Sequence, residues 1–426
     1  MQSDVPPVAL ARRTRVLVLS AYPIRHPHHG GQIRVREIVR AYRAANFDVR
    51  HASVFPDYHG YRYPSIDAGD LPLAFPPLQQ WRGHAVPYVE DLALGEVAAR
   101  RVDVLERVER HAGGPVALLH LEQPWLLPAA LAVRARSQLG PWALCCGSQN
   151  IEHRLRDAMW RAAGVDPATL AQLADALCAL EQQAVAAADI VAAVTESDRA
   201  TLASWVPAGR QTPMVLAGNG IRPWRASAQR LQLWRQRLAD LGVDARFALY
   251  AGSAHPPNVN GFGECFGASL ATLPPGRAIV VAGSVGPAIE QTAWYRAHAG
   301  INASRMAVLG PLADADLDAL RSLAHAFVLP VTSGGGSNLK TAEALYSGAH
   351  VVAAPTAMRG FEPLLPWAGL QVAEPGAAFV QAVLTALAQP ARAAADADPR
   401  RDQLTWAQQL APLVQAVVQA VAHPHP

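Results

Sequence analysis

One segment of the sequence combines a glycine run with the only lysine of the chain. That segment is Gly334-Gly335-Gly336-Ser337-Asn338-Leu339-Lys340. Lysine and arginine together number 37, so the other 36 cationic residues are arginines, and a lysine here is unusual for this chain. Glycines let a backbone approach a ligand closely, and a helix N-terminus beside a cation attracts anions. The segment therefore predicts a diphosphate-binding site.

Two other interpretations of this segment are a plain turn, which stays open, and a P-loop, which the residue before the lysine excludes. A glycine run after a strand is often a plain turn, and a single lysine can persist without a role. A P-loop nucleotide-binding site, by contrast, needs glycine directly before the lysine, and Leu339 stands at that position. The segment is thus a turn or an anion site, and anion binding is favoured.

The residues around this segment predict the elements that position it. Residues 326–330 are continuously apolar and predict a buried strand, and residues 337–346 predict a short helix with Lys340 in its first turn. Gly348 is typical of a helix C-cap, and residues 351–354 predict the next strand. A strand, a glycine loop and a helix in this order present backbone N–H groups to an anion.

Polar residues follow several other predicted strands. Because ligands of open α/β sheets bind beyond the carboxyl ends of the strands, these residues are candidates for a site. They are Gly30 and Gly31, His120 and Glu122, Asn150 and Glu152, Asn219, and Ser253 with Asn258. His120 alternates with Glu122 on its strand, which predicts that the imidazole points into the sheet packing.

Two series of apolar strands, each alternating with amphipathic helices, indicate an α/β protein with two doubly wound parallel sheets. We expect an N-terminal Rossmann-like domain at 1–225, a second such domain at 226–400 and a C-terminal helical segment at 401–426. The region 56–90 is rich in proline, tyrosine and glycine, which predicts an irregular insertion or lid.

Bulk composition excludes several classes of protein. Of the 426 residues, 51% are hydrophobic and 17% are charged, which is typical of a globular chain. The net charge of +3 is too small to indicate nucleic-acid binding. The four cysteines form no CxxC pair, and neither a cleavable signal nor a spanning helix is expected. These features predict a cytoplasmic protein.

The motifs resemble those of the retaining glycosyltransferases of the GT-B fold, family 4. The matching segments are Gly30-Gly31, Asn219-Gly220-Ile221, Tyr250 to Asn258, and the block from Gly334 to Gly360. The resemblance spans nearly the whole chain as short motifs, and the last block is the most specific. In such enzymes two Rossmann-like domains face each other across a cleft, and the last helix returns to the N-terminal domain.

The resemblance implies a nucleotide-diphospho sugar as donor in the C-terminal half and a glycan, lipid-linked or small-molecule acceptor in the N-terminal half. Lys340 and the amides of residues 336–339 would hold the diphosphate, Glu343 would bind the ribose and Gly31 would approach the phosphate. Glu122 and His120 are the catalytic candidates, whereas Asn150 and Glu152 are candidates for the acceptor side. The implied transfer retains configuration and needs neither metal nor cofactor.

Two features depart from the family pattern. The family's usual pair of glutamates with seven residues between them has Glu343 as its second member, but Gly335 stands in the first position. The arginine and lysine that often follow the first strand of the second domain are replaced by Ser253 to Asn258. Two alternatives therefore stay open: a sugar-nucleotide epimerase of the same fold, and a silent homologue that binds nucleotide or glycan without turnover.

The helix near 32–45 carries an apolar stripe beside a basic one that includes Arg36, Arg40 and Arg43. The favoured interpretation is a core helix with a solvated basic face. Peripheral contact with the inner face of an anionic membrane is the alternative. His26, His28 and His29 lie in the loop before this helix, but prolines interrupt them and no metal site is expected.

Overall fold

The computed structural model describes residues 14–57, 66–73, 80–81, 84–86, 89–136, 139–140, 142–392 and 397–422. The chain divides into two compact units. The first unit comprises Met1–Ala217 together with Leu410–Pro426, and the second comprises Gly218–Gln409. Each unit is an α/β sandwich built around its own sheet, and each is described separately below.

Among the described residues, the first unit has a seven-stranded parallel sheet in the order β3-β2-β1-β6-β7-β8-β9 and a small antiparallel pair, β4-β5. The strands are β1 (Arg15–Ser20), β2 (Asp48–Pro56), β3 (Asp70–Leu73), β4 (Gln80–Trp81), β5 (His84–Ala85), β6 (Leu118–Glu122), β7 (Ala143–Ser148), β8 (Ile190–Ala193) and β9 (Met214–Leu216). The order reverses between β1 and β6, where a doubly wound sheet opens a crevice for ligands.

Helices cover both faces of this sheet. They are α1 (Gly30–Ala44), α2 (Glu90–Arg100), α3 (Val102–Ala112), α4 (Leu127–Arg136), α5 (Glu152–Ala162), α6 (Pro167–Ala187) and α7 (Glu196–Ala203). The N-terminus of α7 is capped locally, because Thr195 Oγ1 accepts a hydrogen bond from the amide of Asp198 at 3.0 Å.

The second unit has, among its described residues, a six-stranded parallel sheet in the order β12-β11-β10-β13-β14-β15. The strands are β10 (Ala248–Ala251), β11 (Ile279–Ala282), β12 (Met306–Gly310), β13 (Ala326–Leu329), β14 (His350–Ala353) and β15 (Leu370–Val372). The order reverses between β10 and β13, so the carboxyl ends of these two neighbouring strands flank a second crevice.

The helices of the chain after residue 217 are α8 (Ala228–Asp240), α9 (Pro256–Phe266), α10 (Val285–Glu290), α11 (Ala293–Arg296), α12 (Ala299–Ala303), α13 (Asp314–Leu323), α14 (Leu339–Ser347), α15 (Ala377–Ala388) and α16 (Trp406–Ala422). The helices α8 to α15 belong to this second unit, whereas α16 begins in it and belongs to the first unit from Leu410 onward. Short 3-10 turns at Pro355–Met358, Glu362–Leu364 and Arg401–Leu404 connect them.

The core of the second unit lies on both faces of its sheet. Successive residues of a strand alternate between two buried clusters: Leu249 packs in one cluster, whereas Ala248 and Tyr250 pack in the other. The same alternation holds along β11, β13 and β14. Because both faces are buried, these strands are apolar throughout, which is what predicted two doubly wound parallel sheets.

The region 56–90 contributes three strands that the sequence did not predict, the short pair β4-β5 and the edge strand β3. β3 pairs with β2 in parallel from Ser53↔Asp70 to Pro56↔Leu73 and extends the first sheet at its edge. The buried carboxylate of Asp70 accepts a hydrogen bond from Ser53 Oγ at 2.6 Å, which ties the two strands together. Residues 58–65, 74–79, 82–83 and 87–88 of the predicted insertion lie outside the described residues.

No helix in the described part of the chain is both long enough and apolar enough to cross a bilayer.

Gly261 positions helix α9 against the start of the glycine loop. A Cβ atom there would lie 2.2 Å from the carbonyl oxygen of Pro330, which is backbone and cannot move aside. We expect Gly261→Ala to lower the free energy of unfolding by about 1–3 kcal/mol. The matched control is Gly300→Ala in α12, where a Cβ would meet no atom within 4 Å. Equal stability of the two variants in urea unfolding would contradict this packing.

Candidate functional site

The glycine run forms a loop between β13 and α14 at the topological switch point of the second sheet. Gly334 and Gly336 have φ angles of 119° and 58°, which side-chain-bearing residues rarely adopt. Asn338 is the N-cap residue of α14, and its side chain makes no capping hydrogen bond. Lys340 lies in the first turn of the helix, as predicted.

Side chains bind three consecutive carbonyl groups of this loop. Arg359 donates from Nε to the oxygen of Gly336 at 2.6 Å and from Nη2 to the oxygen of Gly335 at 3.0 Å. Asn219 Nδ2 donates to the oxygen of Ser337 at 3.0 Å. In a trans peptide the N–H points away from the carbonyl of the same peptide unit, so each amide of residues 336–338 points away from the side chain that binds the preceding carbonyl.

Several donors of the loop and of the residues next to it are unpaired. Within the part of the chain that the structure describes, the amides of residues 336–339 have no acceptor. The side-chain atoms Ser337 Oγ, Asn338 Nδ2 and Thr332 Oγ1 are buried and likewise have no described partner. Buried polar groups normally pair, so a cluster of unpaired donors indicates a ligand with several acceptor oxygens.

Lys340 is held beside this loop by neutral groups. Its ammonium donates a short hydrogen bond to Asn258 Oδ1 and lies 5.5 Å from the centre of the Tyr250 ring. A Cβ atom at Gly252 would lie 3.5 Å from Nζ, so the backbone approaches closely there. Burial lowers the pKa of Lys340 to about 8, although the nearby Glu343 carboxylate opposes this effect.

Asn258 is itself fixed by the segment after β10. Its Nδ2 donates to the carbonyl oxygen of Ser253 at 2.9 Å and lies 3.4 Å from Ser253 Oγ. The Tyr250 hydroxyl donates to the carbonyl oxygen of Asn258 at 2.9 Å. The structure thus brings together Asn219, Ser253, Asn258, Lys340 and the loop, which the sequence had placed at separate strand ends.

Glu343 lies one turn further along α14 and is already paired. Arg321 Nη2 donates a short hydrogen bond to Glu343 Oε1, and Arg321 Nη1 donates to Asp318 Oδ1 at 3.1 Å. About a quarter of the Glu343 side chain is exposed, at 26%. Oε2 has no described partner, which leaves one acceptor oxygen for a ligand hydroxyl.

In the first unit, Glu122 is fully buried at the carboxyl end of β6. Gln149 Nε2 donates to Oε2 at 2.8 Å, and Arg34 Nε lies 3.4 Å from the same oxygen. Burial alone would raise the pKa of this carboxyl group. The Arg34 charge and the hydrogen bond from His120 outweigh burial and hold the pKa at about 2. Glu122 is therefore ionised at neutral pH.

His120 connects this carboxylate to the interior of the sheet. Its Nε2 lies 3.3 Å from Glu122 Oε1, and an ionised carboxylate only accepts, so Nε2 donates. Its Nδ1 lies 2.7 Å from the Tyr42 hydroxyl. Both His120 and Glu122 have 0% exposure. Their predicted catalytic role stays a prediction, and this geometry favours Glu122 as the group that holds Arg34 and Gln149.

Gly30 and Gly31 begin α1 at the same end of the first sheet. A Cβ atom at Gly31 would lie 2.5 Å from Tyr22 Oη and 2.7 Å from Gln149 Oε1, so only glycine fits there without a shift. Gln149 Nε2 donates to the Tyr22 hydroxyl at 2.7 Å. Gly31 is thus in contact with the network around Glu122, whereas no such contact places Gly30.

Asn150 and Glu152 lie at the start of α5, beside a second buried carboxylate. Asn150 Nδ2 donates to Glu152 Oε1 at 3.0 Å, and the amide of Glu152 donates to Glu181 Oε1 at 2.6 Å. His153 Nδ1 lies 2.6 Å from Glu181 Oε2. Burial, reinforced by Glu181, raises the pKa of Glu152 to about 7, against the lowering effects of Arg156 and Asn150.

Among the described residues, no group of three or more histidine, cysteine or acidic side chains is arranged to hold a metal ion. In the loop before α1, His29 Nδ1 accepts from the amide of Gln32 at 3.4 Å, and its ring packs against Tyr22 with centroids 4.9 Å apart.

Sequence analysis missed the residues that organise both clusters. Arg359 follows β14 and stands directly before Gly360, a position after a strand end that could have signalled a role. Arg34 and Gln149 bind Glu122, and Arg321 binds Glu343. As one of 36 arginines, none of the three arginines is distinguished by type, so only their three-dimensional contacts reveal them.

No protein-family model matches the sequence, and no curated protein matches it either. Solved structures do. The chain is similar to a sucrose-phosphate synthase from Thermosynechococcus elongatus, with a TM-score of 0.69 and 15% identity over 96% of this chain and 100% of that chain. It is also similar to a trehalose 6-phosphate synthase from Burkholderia multivorans, with a TM-score of 0.62 and 15% identity over 96% and 98% of the two chains.

A third similar structure is Anabaena HepE in complex with UDP, with a TM-score of 0.60 and 15% identity over 96% of this chain and all of that chain. These neighbours are glycosyltransferases of the GT-B fold. At such identities the similarity concerns the fold alone, and it confirms the predicted GT-B class for this chain.

The raised pKa of Glu152 predicts a pH-dependent stability. An acid that is harder to ionise in the folded state stabilises the fold below its unfolded pKa, and this contribution is lost as pH rises from about 4.5 through about 7. Glu152→Gln keeps an acceptor for Asn150 without the charge. We expect it to stabilise the protein at pH 8 by up to about 3 kcal/mol and to have little effect at pH 4.5.

The comparison variant is Glu122→Gln, which removes a carboxylate that is favourably ionised and should destabilise the protein at pH 8. Urea unfolding at both pH values measures the two effects. If Glu152→Gln changed stability equally at pH 4.5 and pH 8, the buried carboxyl group would not titrate in this range.

Proposed function

We propose that the protein is a glycosyltransferase that transfers a sugar from a nucleotide-diphosphate donor to a hydroxyl acceptor. The observation that carries this proposal is the set of unpaired donors at the glycine loop, with the Lys340 ammonium beside the loop. A diphosphate offers several anionic oxygens to such a set, and backbone amides at a helix N-terminus are a recurrent phosphate site.

The similar structures support the same ligand class. HepE of Anabaena is described in complex with UDP and with UDP-glucose, and a starch synthase from Arabidopsis is described bound to ADP and acarbose. Transferred to this chain, these likenesses favour a nucleotide sugar as donor and a sugar as acceptor. They are consistent with the position of the loop at the switch point of the second sheet.

In this proposal each residue of the second unit has a role derived from its contacts. The amides of residues 336–339 and Ser337 Oγ bind the diphosphate oxygens, and Lys340 offsets the charge that grows as the diphosphate departs. Asn258 orients Lys340, while Arg359 and Asn219 position the loop. Glu343 offers Oε2 to a ribose hydroxyl. Because Gly335 has no side chain where the family usually has an acidic residue, other residues would bind the donor sugar.

We further propose that transfer retains configuration and proceeds without a metal ion, because loop donors and Lys340 supply the electrostatic stabilisation that a cation would otherwise supply. On the acceptor side, Asn150 and Glu152 are the candidates: the Glu152 carboxyl group titrates near neutral pH, as a proton acceptor must.

A panel of nucleotide sugars with and without sugar acceptors tests the reaction. We expect nucleotide release that depends on an acceptor, that survives removal of divalent cations, and that yields a product with the donor's anomeric configuration by NMR. An isomerised donor without acceptor would instead identify an epimerase. Stabilisation by nucleotides without any turnover would identify a silent binding protein.

The Lys340 contact is tested by nucleoside diphosphate binding. Lys340→Met preserves length and removes the charge, and we expect it to weaken binding at least ~10-fold, since a charge-assisted contact contributes about 1.5–3 kcal/mol. The matched control is Arg235→Gln, which removes an exposed cation of α8. Calorimetry with UDP, GDP and ADP measures both, and unchanged affinity of Lys340→Met would refute the assignment.

The pKa of Lys340 adds a second signature. Because this pKa is about 8, the free protein loses the ammonium as pH rises, and affinity at pH 9 should be roughly tenfold below that at pH 7. Lys340→Met should show no such decline between these pH values. A wild-type profile that is equally flat would show that the ammonium does not contact the ligand.

A further inference from the structure

An open cavity in the first unit is lined by five arginines and has no role in the proposed reaction. Its volume is about 420 Å³, which is within the range of small-molecule sites. The guanidinium groups that line it are Arg25, Arg36, Arg40, Arg43 and Arg50. His51 and His111 also line it, whereas Asp67 is the acidic residue among the described lining residues.

Three separate elements bring these cations together. Arg36, Arg40 and Arg43 share one stripe of α1 because they are four and three residues apart. Arg25 comes from the loop after β1, and Arg50 comes from the start of β2. A solvated helix face would explain the stripe alone, but it would not explain why a strand and a loop add two more guanidinium groups around the same concavity.

Nearby carboxylates neutralise this cluster only in part. Arg25 pairs with Asp67 at 3.0 Å, and Arg50 Nε lies 3.5 Å from Asp48 Oδ1. Arg40 and Arg36 share one oxygen of Glu37, at 2.7 and 3.3 Å. Arg43 has no carboxylate within 4.0 Å among the residues that the structure describes.

Three carboxylates therefore face five guanidinium groups. The excess positive charge lies in a concave surface, which concentrates the electrostatic field on a small anion.

His51 and Gly69 form part of the cavity wall beside the arginines. His51 Nε2 lies 2.9 Å from Ser20 Oγ, and burial together with the nearby charges of His111 and Arg43 lowers the pKa of His51 to about 3. Gly69 allows the wall to close, because a Cβ there would lie 2.2 Å from the carbonyl oxygen of His51. The neutral imidazole thus adds hydrogen-bonding capacity without adding charge.

We infer that this cavity binds a compact ligand with two or more phosphoryl groups, carried by a sugar or cyclitol that is either free or the headgroup of a lipid. Guanidinium groups bind phosphoryl oxygens through paired N–H donors, and five of them exceed what one phosphoryl group can engage. Among the described lining residues no tryptophan, tyrosine or phenylalanine is present for base stacking, which disfavours nucleic acid. This inference does not rest on the proposed transferase activity.

Calorimetric titration of the full chain at about 0.15 M ionic strength tests it, with fructose 1,6-bisphosphate and inositol 1,4,5-trisphosphate as probes and sulfate as the reference anion. We expect the trisphosphate to bind at least tenfold more tightly than sulfate. The double variant Arg40→Gln with Arg43→Gln should weaken this binding at least ~10-fold. Both side chains are exposed, so the fold should persist, and Arg43→Gln alone should give a smaller loss in the same direction.

Two controls separate this site from the glycine loop. Arg235→Gln should leave trisphosphate binding unchanged, and so should Lys340→Met, whereas the double variant should bind UDP as the wild type does. Equal affinity for trisphosphate and sulfate would overturn the inference. Trisphosphate binding that is lost in Lys340→Met but kept in the double variant would also overturn it, because the anion would then occupy the loop.

Vesicle flotation distinguishes the two sources of the ligand. Binding to vesicles with phosphatidylinositol 4,5-bisphosphate that free inositol 1,4,5-trisphosphate abolishes would identify a lipid headgroup. Binding of the free probes without flotation would identify a soluble phosphorylated compound. Equal flotation on phosphatidylserine vesicles that the trisphosphate does not compete would indicate general attraction to an anionic surface and would contradict a cavity site.

Discussion

The planarity of the peptide bond is the constraint on which the proposed donor site depends. Once Arg359 and Asn219 bind the carbonyl oxygens of residues 335–337, each following N–H group must point away from the side chain that binds its own peptide's carbonyl. The glycines at 334 and 336 are needed because the chain passes through positive φ there. Arg359 and Asn219 thus orient the backbone N–H donors of this strand-to-helix connection, and the Lys340 ammonium adds a cation beside them.

Buried charge is handled in opposite ways in the two units. Glu122 is surrounded by Arg34, His120 and Gln149, so its charge is stabilised internally and its pKa falls. Lys340 faces the neutral oxygen of Asn258 and is opposed only in part by Glu343, so its pKa also falls, which for a base means a disfavoured charge. The first arrangement is complete within the protein, whereas the second is relieved when an anion arrives.

The parts of this structure that local sequence determines could be predicted. Continuous apolar runs predicted both parallel sheets, because strands that are buried on both faces are apolar at every position. The glycine run predicted the loop and helix α14. The partners of Glu122 and Glu343 could not be predicted, because Arg34 and Arg321 are separated from them by 88 and 22 residues and resemble every other arginine. Strand β3 was missed because its four residues contain a proline, which normally argues against a strand but is tolerated at a sheet edge.

Because every other cationic residue of lysine or arginine type is an arginine, the single lysine indicates a position that suits an ammonium better than a guanidinium. The Lys340 ammonium fits between Asn258, the Tyr250 ring and the backbone of Gly252. An arginine guanidinium at this position would leave several of its five N–H donors unpaired. In the cavity beside α1 there are five arginines, and each guanidinium group can bind two phosphoryl oxygens at once. The two positions therefore differ in the geometry of the anion that they suit: a point charge beside a row of amides at the loop, and an array of paired donors in the cavity. This difference would let the two proposed anion sites discriminate between ligands without sharing a residue.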